Sequence, residues 1–214
     1  IRIKYFLSTM LNLNNKPIQL IAEVKTTSPF GYVAEQSWDE LFSVAEKVGD
    51  MISIHTDSRW GGSFELIKKA KSLTKKPILA KGIHETDELV TRAIESGADF
   101  VLVVGRLPSC DDCSPIRIGR LPKAYLDKCL IEPNTLAELA TIPKGVRVVW
   151  NSRDLKTGGL KKETFAQARK IFPGWLCQAS HIELVGDIDP TADAVLVGTK
   201  LIPFAQSLSS RYTN

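Results

Sequence analysis

The sequence predicts an α/β fold, a small (β/α)8 barrel of the TIM type, and three observations carry that reading. Eight short, β-rich apolar runs recur along the chain: LIAEVK (20–25), MISIHT (51–56), PILAK (77–81), FVLVV (100–104), KCLIE (128–132), VRVVWN (146–151), WLCQAS (175–180) and AVLVG (194–198). Most are apolar almost without a break, as suits parallel strands covered on both faces. Helical patterns fill most of the gaps, and such alternation over roughly 200 residues matches the small end of the barrel range. A doubly wound open sheet is the rival architecture. No GxGxxG follows the first run, so its dinucleotide-binding form loses support.

Between runs 1 and 2, SWDELFSVAEKVG reads as a helix with Ser37 as N-cap and Gly49 as its stop. Ser63 can cap FELIKKAKSL after run 2. After run 3, TDELVTRAIESG puts Leu89, Val90, Ala93 and Ile94 on one face, and Gly97 closes it. KKETFAQARKIF follows run 6, with Phe165, Ala168 and Phe172 inward and Pro173 at the end; LIPFAQSLSS follows run 8. The remaining gaps are thin. Thirteen residues, PNTLAELATIPKG, separate runs 5 and 6, and 13 more, HIELVGDIDPTAD, separate runs 7 and 8. The segment GRLPSCDDCSPIRIGRLPKAYLD after run 4 has three prolines and no helical stripe. The expectation is shortened or irregular helices after strands 4, 5 and 7, within one domain spanning 1–214 whose N-terminal extension is short (1–19).

With 214 residues, 43% of them hydrophobic and 24% charged, the chain can bury one substantial core. No apolar run approaches the roughly 18 residues of a membrane span. IRIKYFLSTM is too short and too broken in its apolar stretch to read as a signal peptide. The net charge of +4 is mild, and Lys68, Lys69, Lys71, Lys75 and Lys76 read as a solvated helix face, with no nucleic-acid partner implied. Cys110 and Cys113 form a lone CxxC among acidic neighbours, weak ground for a zinc or redox role. Cys129 and Cys177 read as core thiols, and nothing calls for disulfides, which points to the cytoplasm.

Barrel active sites form at the C-terminal ends of the strands, and here those ends are unusually polar. Run 1 ends with Glu23 and Lys25, run 2 with Thr56 and Asp57, and run 3 with Lys81. Run 5 ends with Glu132, and run 6 with Asn151, then Arg153 and Asp154. Run 7 ends with Ser180, and run 8 with Gly198 and Thr199. Glu23 and Lys25, two apart, share one side of their strand. Gathering carboxylates and ammonium groups in one mouth costs desolvation and couples their pKa values, a pattern that marks proton transfer more often than fold stabilisation. The Gly198-Thr199 step before the last helix, with Ser180 on the neighbouring strand, suits a phosphate held by backbone N–H groups and hydroxyls.

These motifs resemble the indole-3-glycerol phosphate synthase family over nearly the whole chain. The resemblance rests on IAEVKTTSP, ISIHTDSRWGGS, KPILAK, ESGADFVLVV, LIEP, NSRDL and ADAVLVGTKL. It implies closure of an indole ring on 1-(2-carboxyphenylamino)-1-deoxyribulose 5-phosphate, with loss of carbon dioxide and water and without metal or cofactor. The sequence does not give the oligomeric state, and a monomer is the default. The family's general-acid lysine falls on Lys81, its strand-5 glutamate on Glu132 and its strand-1 pair on Glu23 and Lys25. Asn151 matches a further catalytic position, and Arg153 and Ser28 match substrate-holding ones. Lys25, Ser180, His181, Gly198 and Thr199 match the phosphate surroundings.

The chain departs from the family pattern at several points. Where the family reads Glu-Ser-Gly-Ile after strand 7, this chain reads Ala179-Ser180-His181-Ile182, and Lys-Asp-Phe becomes Lys81-Gly82-Ile83. The turns after Pro29 and before Gly61 are each a residue short. Two alternatives stay open at this level: a sugar-phosphate-binding barrel that has lost turnover, and a phosphoribosylanthranilate isomerase-like enzyme, although the latter's strand-1 cysteine is absent.

Overall fold

The computed structural model describes residues 11–13, 16–108 and 121–210. Eight parallel strands close into a barrel: β1 (Gln19–Val24), β2 (Met51–His55), β3 (Ile78–Lys81), β4 (Phe100–Val104), β5 (Cys129–Glu132), β6 (Arg147–Asn151), β7 (Leu176–Ala179) and β8 (Ala194–Val197). They pair in sequence order, and β8 closes on β1 in the register Ala194↔Gln19 to Val197↔Ala22.

The helices form where their caps and apolar stripes predict. Helix α1 (Trp38–Val48) starts in a full capping box between Ser37 and Glu40. Ser63 caps α2 (Phe64–Leu73) and Thr86 caps α3 (Asp87–Glu95), which gives way to Gly97 at φ 104. Among the described residues the ring is thin where the spacing is thin: α4 (Lys123–Leu126) has four residues and α5 (Leu136–Thr141) six, while 109–120, after β4, lie outside them. Helix α6 is Phe165–Ile171, shorter than its sequence pattern because Thr164 caps it. Only a 3-10 turn, Val185–Asp187, stands between β7 and β8, and α7 (Leu201–Ser210) follows β8. The α2 lysines engage local partners: Lys68 pairs with Glu65, Lys69 with Asp39 and Lys71 with Asp99. Among the described residues no helix is long and apolar enough to cross a membrane.

Strand parity sorts the core into two layers. Ala22, Ile52, Ile54, Ala80, Val101, Val103, Ile131, Val148 and Trp150 face the helices and join their apolar stripes. Ile21, Met51, Leu79, Leu102, Leu130, Val149, Cys177 and Leu196 fill the barrel interior. Cys129 and Cys177 are buried free thiols, and burial pushes the first up to about 12; Cys110 and Cys113 lie outside the described residues. Asn12–Leu13 pairs antiparallel with Lys16–Pro17, and Leu11 and Ile18 pack on a cluster that includes Ile182, Val195 and Phe204.

Candidate active site

Continuing each strand's inward parity toward its C-terminal end fixes the floor of the barrel mouth. The floor holds Glu23, His55, Lys81, Val104, Glu132, Asn151, Ala179 and Gly198, one residue from each strand or the position after it, and all eight line a single cleft. Lys25, Ser28, Arg153, Ser180, His181 and Thr199, the positions that the family resemblance marks, line the same cleft. The cleft is open to solvent at its mouth, and its walls carry both charged and aromatic side chains.

The charged groups fall into two linked sets. In the first, Glu23 is only 3% exposed. Its Oε1 meets Lys81 Nζ at 3.0 Å and His55 Nε2 at 2.9 Å, while its Oε2 lies 3.6 Å from Lys25 Nζ. Burial alone would raise the Glu23 pKa, but Lys81, Lys25 and His55 outweigh it and hold the carboxyl well below the usual range. Lys81 also resists its own burial, because Glu23 and Glu132 together keep its pKa raised. Lys25 goes the other way. Burial lowers it, Lys81 and Arg153 add to that, and Glu23 offsets only part.

The second set is built on Asn151. Its Nδ2 donates to Glu132 Oε1 at 2.8 Å, and its Oδ1 accepts from Ser180 Oγ at 2.7 Å and the Arg153 N–H at 3.0 Å. Burial pushes the Glu132 pKa up, against Lys81, the Asn151 hydrogen bond and Lys161. Two carboxyls facing one ammonium are therefore shifted in opposite directions, the arrangement expected of separate acid and base roles.

Two loops roof the cleft. The loop after β1 folds back through a Thr27↔Val33 bridge, and the loop after β6 through Arg153↔Leu160. They meet where Phe30 packs against Gly158, whose φ is 77 and where a Cβ would lie 2.5 Å from the Phe30 ring. Arg153 lies over the same ring at 5.9 Å and donates to the Gly158 carbonyl at 2.8 Å. After β7, Ser180 and His181 both take left-handed backbone, φ 69 and 55. His181 thus keeps a conformation that glycine adopts freely, at a steric cost. Gly198 also serves a purpose the sequence does not reveal. A Cβ there would lie 1.7 Å from Glu23 Oε2, so its bareness admits the carboxylate.

Some sequence expectations shift. Thr56 and Asp57 do not line the cleft: Thr56 Oγ1 bonds the Lys81 carbonyl at 3.2 Å, and Asp57 caps the 3-10 turn Ser58–Trp60. Asp154 likewise turns away, accepting from the Lys156 N–H. The mouth residue of β2 is His55, legible in hindsight from the alternation Met51, Ser53, His55. Phe30, Tyr32, Trp60 and Leu155 give the cleft an apolar and aromatic side with no short motif of its own.

A closed eight-stranded parallel barrel with ionisable groups gathered at its C-terminal mouth defines the class: a TIM-barrel protein with an enzyme-like site. The fold is shared with a 3-hexulose-6-phosphate synthase crystal structure, at a TM-score of 0.61 and 15% identity over 90% of this chain and 99% of that one. Residues 2–209 match the family model of indole-3-glycerol phosphate synthase, and the chain belongs to that family. An indole-3-glycerol phosphate synthase from Geobacillus sp. is 30% identical over 213 residues, 92% of this chain and 80% of that protein. One from Picrophilus torridus is 29% identical over 164 residues, 74% of this chain but only 64% of the relative's length.

Proposed function

We propose that this chain performs the reaction for which its family is named, closing the indole ring of 1-(2-carboxyphenylamino)-1-deoxyribulose 5-phosphate in tryptophan biosynthesis. The observation that carries this reading is the Lys81 ammonium, 3.0 Å from Glu23 Oε1 and within the field of Glu132, two carboxyls with oppositely shifted pKa values. Ring closure joins an aromatic carbon to the ketone carbon, and the ketone oxygen takes a proton. Lys81 is the donor, since it is held charged and opens onto the cleft. Carbon dioxide then leaves, and the new hydroxyl departs as water while a second group removes a proton from the ring system. Glu132 suits this exchange because burial inclines it to hold a proton, while Glu23 stays ionised and steadies both lysines. The steps balance in protons, so side chains present in the cleft can carry them without a cofactor.

Lys25, Ser180, His181, Gly198 and Thr199 form the phosphate end of the cleft, and Ser28 and Arg153 hold the substrate beneath the roof. Asn151 keeps Glu132 and Ser180 in register with each other. The setting is cytoplasmic and the partner a free phosphorylated small molecule.

Ala179 favours a second reading, a barrel that binds the sugar phosphate without turning it over, because the family's strand-7 carboxylate is absent there. Mixing purified protein with the substrate and following indole fluorescence separates the two. Turnover above background, inhibited competitively by inorganic phosphate, supports the enzyme. Binding by calorimetry with no fluorescence rise refutes it in favour of the binder.

A further inference from the structure

One ionisable group in the floor of the mouth has no part in the chemistry above. His55 is 3% exposed, and its Nε2 approaches the same Glu23 oxygen, Oε1, that Lys81 occupies. Burial drives the imidazole down to about 4, against the pull of Glu23. The ring is therefore neutral at physiological pH, and beside an ionised carboxylate Nε2 must carry its single proton. Nδ1 is left as a bare acceptor, buried and without a hydrogen-bond partner among the described residues. An unsatisfied buried nitrogen is a cost that a leucine here would not incur.

The surroundings hold the ring in that pose. Trp60 stacks on it with centroids 5.6 Å apart and planes 2° from parallel. Gly62 passes so close that a Cβ there would lie 2.3 Å from the His55 carbonyl oxygen, and the Ser63 N–H donates to that oxygen at 3.1 Å. The titratable and charged groups acting on the pair come from the residue after β1 (Lys25) and the loop beyond it (Tyr32), from the turn after β2 (Asp57), from β3 (Lys81) and from β5 (Glu132); Arg153, after β6, acts through Lys25 and Lys81.

We propose that His55 is a positioning residue whose Nε2–H shares Glu23 Oε1 with Lys81 and keeps the carboxylate in place when the ammonium turns to the substrate. The inference deepens the proposed function and rests on it for the catalytic consequence. When Lys81 gives up its proton, Oε1 loses its cationic partner. The imidazole N–H remains, so Glu23 neither swings after Lys81 nor takes up the proton itself.

The test has a spectroscopic arm and a kinetic arm. In 15N-histidine-labelled protein, whose three histidines are told apart with His55→Gln, His55 is expected as the neutral Nε2–H tautomer from about pH 8 down to about pH 5.5. An Nδ1–H tautomer, or an imidazolium in that range, overturns the proposal. In the kinetic arm, His55→Leu is expected to lower kcat about tenfold or more with KM within about threefold, and to move the acid limb of kcat/KM to higher pH. His55→Gln, whose side-chain amide reaches the Nε2 position, restores kcat to within about threefold of wild type. Wild-type kcat and an unmoved acid limb in His55→Leu overturn the role, as does His55→Gln no better than His55→Leu. A wild type that never turns over fails the proposed function instead, and the tautomer alone then upholds or overturns the His55–Glu23 contact.

Discussion

Replacing Gly198 with alanine adds one methyl group, and the structure says where it goes. The new Cβ would lie 1.7 Å from Glu23 Oε2 and 2.8 Å from its Cδ. Ordinary contact needs about 3.5 Å, so the carboxylate must withdraw by roughly 1.8 Å. A shift of that size breaks the 3.0 Å contact with Lys81 and the 2.9 Å contact with His55. Glu23 is 3% exposed, so the broken contacts lie where solvent has little access. The backbone is not the obstacle, since Gly198 does not occupy the left-handed region. Overpacking of this kind costs about 2 kcal/mol, a fall in Tm of roughly 4–8 °C for a chain of this size. Misplacing the carboxylate lowers kcat by about a hundredfold. KM should move little, because the backbone N–H proposed for the phosphate is retained in the alanine variant. The assay is the indole fluorescence rise under saturating and limiting substrate, paired with a thermal melt. Gly145→Ala, where a Cβ meets nothing within 4 Å, is the control. Wild-type kcat with a raised KM in Gly198→Ala would refute the reasoning, because the glycine would then serve phosphate approach alone.

Three further outcomes follow from the same geometry. Glu132→Gln keeps an oxygen for Asn151 to donate to, so kcat should fall about a hundredfold while Tm moves by less than about 2 °C; undiminished kcat would remove Glu132 from the chemistry. His181→Val puts a β-branched side chain at φ 55 and should lower Tm by several degrees, whereas His181→Gly should leave it unchanged or higher; equal melts would mean the turn relaxes. The folded pKa of His55, about 4, lies below its ordinary 6.5, so its contribution to stability is complete above about pH 6.5 and is lost as pH falls toward 4. That loss is about 3 kcal/mol, on the order of 10 °C in Tm. Glu132, shifted up, works in the opposite direction, and Glu23, shifted down, loses its share only at lower pH. The difference between wild-type and His55→Gln melts across that window isolates the histidine, and parallel curves would contradict the shift.

The strands, the thin half of the ring and most of the mouth could be read from the sequence, because strand parity and strand ends are local properties. Glu23, Lys81, Glu132 and Asn151 interrupt apolar runs at their C-terminal ends, and a barrel turns such positions toward one point. His55 is masked in the sequence by the polar pair Thr56 and Asp57 that follows it, and only the parity Met51, Ser53, His55 marks it as the last inward position. The packing role of Gly198 arises across the β8–β1 seam, between residues far apart in sequence. The left-handed backbone at His181 has no sequence signal of its own, since the residue that usually announces it is missing.

Phe30 rests on Gly158, and Arg153 reaches across to both. The two loops over the cleft are therefore one mechanical part made from two distant stretches of chain. A change in the length of the first shifts the ring on which the second sits, and a side chain at 158 would collide with the first. A change in one loop therefore calls for a matching change in the other. A chimera that borrows the loop after β1 from a relative, without the loop after β6 that shaped it, gains a mismatched roof rather than a new specificity.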